Sequence, residues 1–157
     1  MKAMPTLQGG LRIDTEDPDD WGLLQCIIED AKGPGPDLAA RLGGLMGDDS
    51  AGEDWREYVV PDLRDGFHEA LNRVNDSIEA AIANAKGEAG PLWITPEDVY
   101  PWYSSLNQAR LAIEEHFHFG PGEMPDLHGM SPEGQSAFIR SRFYCAIQSL
   151  LLEYVMR

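Results

Sequence analysis

A chain of 157 residues with 43% hydrophobic residues and four tryptophans is long and apolar enough to close one core without disulfide or metal staples, which excludes a disordered acidic tail. Its 27 Asp and Glu against 12 Lys and Arg leave a formal charge of −15, and a surface of that sign repels phosphate backbones and anionic lipid headgroups. Nucleic acid and membrane are therefore poor partners, whereas basic proteins, cationic peptides and divalent metals stay open.

Residues 3–14 carry the strand material of the chain. Leu7, Leu11 and Ile13 stand around Gly9 and Gly10, and Leu11, Arg12, Ile13 and Asp14 alternate apolar with polar, so a short hairpin or edge strand is predicted. From Asp14 through Asp20 five of seven residues are carboxylates, but the glycine and the late glutamate of a calcium-binding EF-hand loop are not at their offsets. Capping explains this run better than metal: Asp19 or Asp20 would accept from the orphan amides of the next helix. That helix is expected over 21–31, with Leu24, Ile27, Ile28 and Ala31 inward, and Gly33, Pro34, Gly35 and Pro36 break it.

Pro36 suits the first turn of a short second helix carrying Leu38, Leu42, Leu45 and Met46, weakened by Gly43, Gly44 and Gly47. The acidic, glycine-bearing stretch 47–54 reads as a mobile surface loop. Residues 55–60 are apolar enough to pack, and Pro61 is expected to separate them from the next helix. That helix has the longest run of helical spacing: Leu63, Phe67, Leu71, Val74, Ile78, Ile82 and Ala85, opened by Asp62 and ended by Gly87, Gly90 and Pro91. Leu92, Trp93 and Ile94 form an apolar approach to Thr95, which with Asp98 resembles a capping box, Pro96 being the first helical residue.

The helix predicted over 96–118 writes one face at steps of three and four: Val99, Trp102, Leu106, Ala109, Ile113 and Phe117. Pro101 lies in its first turns and could bend it; Gly120, Pro121, Gly122 and Pro125 terminate it. After a loop reaching Met130, Ser131, Pro132 and Glu133 start a last helix that runs towards Val155. Phe138, Cys145 and Leu152 mark one of its faces, and Phe143, Ile147, Leu150 and Tyr154 another. Two apolar faces indicate a central helix or one shared with a second copy, so a homodimer is an expectation. Cys26 and Cys145 fall within apolar helical patterns and read as buried free thiols. Residues 1–10 hold no apolar run of signal-peptide length and no stretch approaches a membrane span, which points to a reducing cytoplasm.

Beside the apolar face of the 96–118 helix runs a polar row. Asn107 reaches Arg110 at three and Arg110 reaches Glu114 at four, so Trp102 with Asn107, Arg110 and Glu114 forms the candidate partner-binding or structural polar cluster. An arginine next to apolar surface can clamp a partner's carboxylate in a two-pronged contact, or it can tie down a neighbouring helix end. The tie is the favoured reading, because half-buried polar groups mostly satisfy neighbouring groups. His116 and His118 would lie about 200° apart on a regular helix, so a shared metal needs an unwound end, where Glu115, Asp126 and His128 could complete the ligand set. The alternative is that these histidines complement the helix dipole. Serine, cysteine and histidine show no nucleophile elbow, and neither Gly9–Gly10 nor Gly43–Gly44 matches a phosphate loop, so no catalytic residue and no cofactor is assigned.

Trp102, Leu106, Asn107, Arg110 and Leu111 resemble the tryptophan, leucine-asparagine and arginine-leucine pattern of the bacterial uncharacterised family DUF2017, and the order of the elements is similar over most of the chain. Gln108 stands where that pattern suggests an acidic residue. The resemblance brings no activity; it implies an interaction or regulatory role, because members are often encoded beside the adaptor that delivers substrates to an ATP-dependent Clp protease. The expected architecture is a single domain over 1–157, an all-α irregular bundle of about five helices with a short N-terminal β-hairpin. The expected function is that of a non-enzymatic regulatory or protein-interaction protein whose acidic surface meets a basic protein. A metal-binding protein or metal-dependent enzyme built on Glu115, His116, His118, Asp126 and His128 is the alternative.

Overall fold

Alternation in Leu11–Asp14 does make a strand, and it organises the N-terminal half of the computed structural model, which describes residues 1–122 and 125–156. Strand β1 (Lys2–Pro5) is fully exposed and pairs antiparallel with β2 (Leu11–Asp14), whose Leu11 and Ile13 turn into the core. Gly10 closes the hairpin because a side chain there would collide with the Ile94 carbonyl, 2.3 Å from the position of a Cβ. The stretch expected to be an apolar approach, Leu92–Ile94, is instead a third strand, β3 (Pro91–Ile94), antiparallel to β2. Leu92 and Ile94 are buried opposite Ile13 and Leu11, while Trp93 faces out over Arg12, whose guanidinium lies 5.0 Å from the ring. The Thr15 hydroxyl, 3.0 Å from the Gly90 carbonyl and 2.8 Å from the Gly90 amide, fastens the two strands where the sheet ends.

Helix α1 spans Asp20–Lys32 and buries Trp21, Leu24, Ile27 and Ile28. The loop carboxylates ahead of it do not cap it as expected. Asp19 makes no side-chain cap bond; Asp20 turns back to accept from the Glu16 amide at 2.8 Å, while Glu16 pairs with the Met1 amine and the Lys2 ammonium at the start of β1. Helix α2 (Leu38–Gly44) starts two residues later than Pro36, because Asp37 takes the cap position and accepts from the Ala40 amide. The stretch expected to be a mobile loop holds a helical turn, α3 (Ser50–Asp54), capped by Asp49.

Pro61 does not separate residues 55–60 from the long helix. A π-type turn (Trp55–Val59) joins α3 directly to α4 (Val60–Asn84), and Pro61 sits in the first turn of α4, where its missing N–H costs little. A 3-10 turn (Pro96–Asp98) then leads into α5 (Val99–Phe117). The capping box does not form there: the Thr95 hydroxyl donates to the Asp98 carboxylate at 2.8 Å instead of accepting from a helix amide. After a short turn (Leu127–Gly129), Ser131 caps α6 (Pro132–Tyr154) by accepting from the Gly134 amide.

Helix α5 is the axis of the molecule, packed against α1, α4 and α6. Its Val99, Trp102, Leu106, Ala109 and Ile113 are buried at the predicted steps and share one core with α1, with Val74 and Ile78 of α4, and with the inward residues of the sheet. The inward face of α6 is displaced from the expected ones: Ala137, Tyr144, Ile147, Gln148 and Leu151 are buried, while Leu152 and Tyr154 are about half exposed. Small and polar residues on that inner stripe conceal it from a count of large apolar positions. Cys26 and Cys145 are half-buried, not buried, and both are free thiols. Among the described residues no helix is long and apolar enough to cross a membrane.

Candidate functional site

The polar row of α5 lines a groove of about 440 Å³ between α5 and α6. Asn107, Arg110, Leu111 and Glu114 form one wall, Phe138, Ser141 and Arg142 of α6 the other, and residues 119–122 close one end. Local chemistry builds that end. Helix α5 stops at Phe117, and His118 takes the left-handed conformation at φ 54° with its amide on the Glu114 carbonyl. Gly120 follows at φ 77°, where a side chain would be strained, and its amide donates to Glu114 Oε1 at 2.9 Å. The reversal carries Phe119 onto Phe117 in a stack at 5.5 Å and edge-on against Phe138 at 5.4 Å.

The row is not held together by contacts among its own members. Arg110 reaches across to α6, where its Nη1 donates to Gln148 Oε1 at 2.6 Å, and Gln148 Nε2 donates in turn to the Tyr103 carbonyl at 3.3 Å. Glu114 is taken by the Gly120 amide, a donor in the turn just past the end of the helix. Asn107 lines the groove, half-buried. Trp102 does not: its indole is fully buried in the core, with Nε1 unpartnered among the described residues. Gln108 is buried and donates to the Phe67 carbonyl at 3.2 Å and to the Ser104 hydroxyl. An ionised acid could not donate to that carbonyl.

The metal candidates are scattered. Glu115 faces Arg41 at 3.6 Å, His116 stands exposed against the edge of Phe117, and His118 is the exposed end of α5. Asp126 accepts from the His128 amide as the cap of its own turn. Among the described residues no three His, Cys, Asp or Glu side chains are placed to hold a metal ion.

Two arrangements have no forerunner in the sequence pattern. The first is a half-buried clasp between α1 and α6: Arg140 binds Asp30 with Nε and Nη2 at 2.7 and 2.9 Å, and the buried Tyr144 hydroxyl donates to the same carboxylate at 2.7 Å. Burial, with the hydrogen bond to Asp30 behind it, pushes the Tyr144 phenol far above its ordinary range. Burial also raises the nearby Cys26 thiol above its ordinary range. The second is a cavity of about 410 Å³ among α1, α2, α4 and α5, with Ile28, Phe67 and Leu71 as apolar walls and Asn72, Asn75 and Gln108 as polar ones. At its rim Arg64 is bound by Asp37 at 2.6 Å, and that guanidinium holds the Asp37 carboxyl below its usual range. Partners 27 to 114 residues apart leave no local spacing to read.

Fold and site together define a mostly helical protein with a small antiparallel sheet and two concave faces on a central helix. A family model described as a domain of unknown function, DUF2017, matches residues 12–155, and the chain belongs to that family. Neither curated proteins nor solved structures yield a match to it.

Proposed function

We propose that the chain is a non-enzymatic, cytoplasmic interaction protein whose anionic flank along α3 and α4 receives a basic protein partner. The observation that carries this is the distribution of charge on α4. Asp62, Asp65, Glu69 and Asp76 are exposed at steps of three, four and seven, so they share one face, and Asp54 and Glu57 extend the run towards α3. The three arginines of the same stretch bring little relief, since Arg64 is bound by Asp37 and Arg73 by Asp98 at 2.6 Å, and Arg56 lies against Asp48 at 3.8 Å. A surface of this kind steers cationic partners and loses its hold as salt screens it within about 10 Å at 0.1 M. Within this reading, the neighbourhood that the family resemblance implies makes the substrate adaptor of a Clp-type protease the first protein to try.

The test is titration with an oligolysine peptide, and with that adaptor, at several salt concentrations, using wild type and the triple variant Asp62→Lys, Asp65→Lys, Glu69→Lys. Binding that weakens with salt and is lost in the variant is the expected result. Binding indifferent to both salt and charge reversal, or none at low salt, would overturn the reading.

A further inference from the structure

Eight arginines are described, and six of them, Arg12, Arg41, Arg56, Arg64, Arg73 and Arg140, each lie against a carboxylate. The other two, Arg110 and Arg142, make no ion pair among the described residues, and both line the groove between α5 and α6. Supply is not the reason, because acidic residues outnumber basic ones by 27 to 12. Glu114, the one carboxylate among the described residues lining the groove, accepts from the Gly120 amide and forms no ion pair with either guanidinium. Arg110 is half-buried with its Nε unpartnered among the described residues, and its Nη1 rests on a neutral carboxamide. A guanidinium so placed carries a desolvation cost that a counter-charge entering the groove would offset.

The remaining wall specifies what such an anion is attached to. Phe119 and Phe138 meet edge-on at the same groove, and its volume of about 440 Å³ falls in the range of small-molecule sites. We propose that the groove binds a small organic acid, its carboxylate held by Arg142 and Arg110 and its apolar or aromatic body laid against Phe119 and Phe138. Asn107 supplies a further donor beside the carboxylate. This site is cationic where the α4 flank is anionic, so it stands independently of the protein-partner reading.

Phenylacetate, with its uncharged amide phenylacetamide as control, probes the site by NMR titration of the intact chain. Saturable shifts at the groove residues in the millimolar range or below are expected for the acid. The amide should bind about tenfold more weakly or worse, since charge-assisted bonds are about twice as strong as neutral ones. Arg142 is exposed, so Arg142→Gln keeps the fold and should lower affinity for the acid by about tenfold or more. Lys86→Gln, which removes the same charge from an exposed lysine outside the groove, should leave it unchanged. No saturable binding, equal binding of acid and amide, or equal loss in the two charge variants would each overturn the proposal.

Discussion

Arg140 and Arg142 stand two residues apart on α6 and meet opposite environments. Arg140 turns inward to a carboxylate that takes two of its donors and the Tyr144 hydroxyl as well, so charge, hydrogen bonds and geometry are all satisfied inside the chain. Arg142 turns to a groove whose other guanidinium, Arg110, is held by a carboxamide, and neither has an ion-pair partner among the described residues. A guanidinium with its own carboxylate is a joint of the fold; one without is open to a carboxylate brought from outside.

The largest effect should come from breaking the joint. Asp30→Ala leaves Arg140 and Tyr144 facing a low-dielectric gap, and a loss of about 3 kcal/mol in urea denaturation is expected. A loss below about 0.5 kcal/mol would show that the clasp is solvated and carries no stability. Arg110→Ala removes the tie to Gln148 and through it to the Tyr103 carbonyl, and should cost about 1 to 3 kcal/mol by the same measurement. Gln108→Glu should cost about 1 to 2 kcal/mol, because the Phe67 carbonyl loses its donor and faces a buried acid. Arg142→Gln should change stability by no more than about 0.5 kcal/mol, which would set it apart from Arg140.

A smaller effect concerns pH. The Asp37 carboxyl is depressed by the hydrogen bond from Arg64, so its contribution is present above the ordinary aspartate range and is lost as pH falls through the lowered folded value. Asp37→Asn should flatten the acid limb of the stability curve slightly, as followed by thermal melts at stepped pH. An unchanged acid limb would mean that the Asp37–Arg64 pair contributes nothing measurable.

The sequence discloses this molecule unevenly, and the reasons are physical. The buried face of α5 is legible because Val99, Trp102, Leu106, Ala109 and Ile113 all pack on one side, and local periodicity is what burial imprints on a helix. The hairpin is legible for the same reason in Leu11–Asp14. Strand β3 is not, since Trp93 faces solvent but packs on Arg12, which erases the alternation and leaves three apolar residues in a row. Spacing alone names the row Asn107, Arg110 and Glu114, yet it does not reveal what that row faces. Gln148, Arg142 and Phe138 come from a helix that begins 22 residues after Arg110, on a stripe whose small and polar members hide its direction.

Guanidinium NMR tests the distinction between the two arginine sites most directly, by following the Nε–Hε signals of Arg140, Arg110 and Arg142 through a titration with phenylacetate. Arg140 should be shielded from solvent exchange and indifferent to the acid, while Arg142 and Arg110 should shift together and saturate. If Arg142 stays at its free position while the acid is added, or if Arg140 responds as strongly, the contrast between a satisfied joint and an open carboxylate site is contradicted.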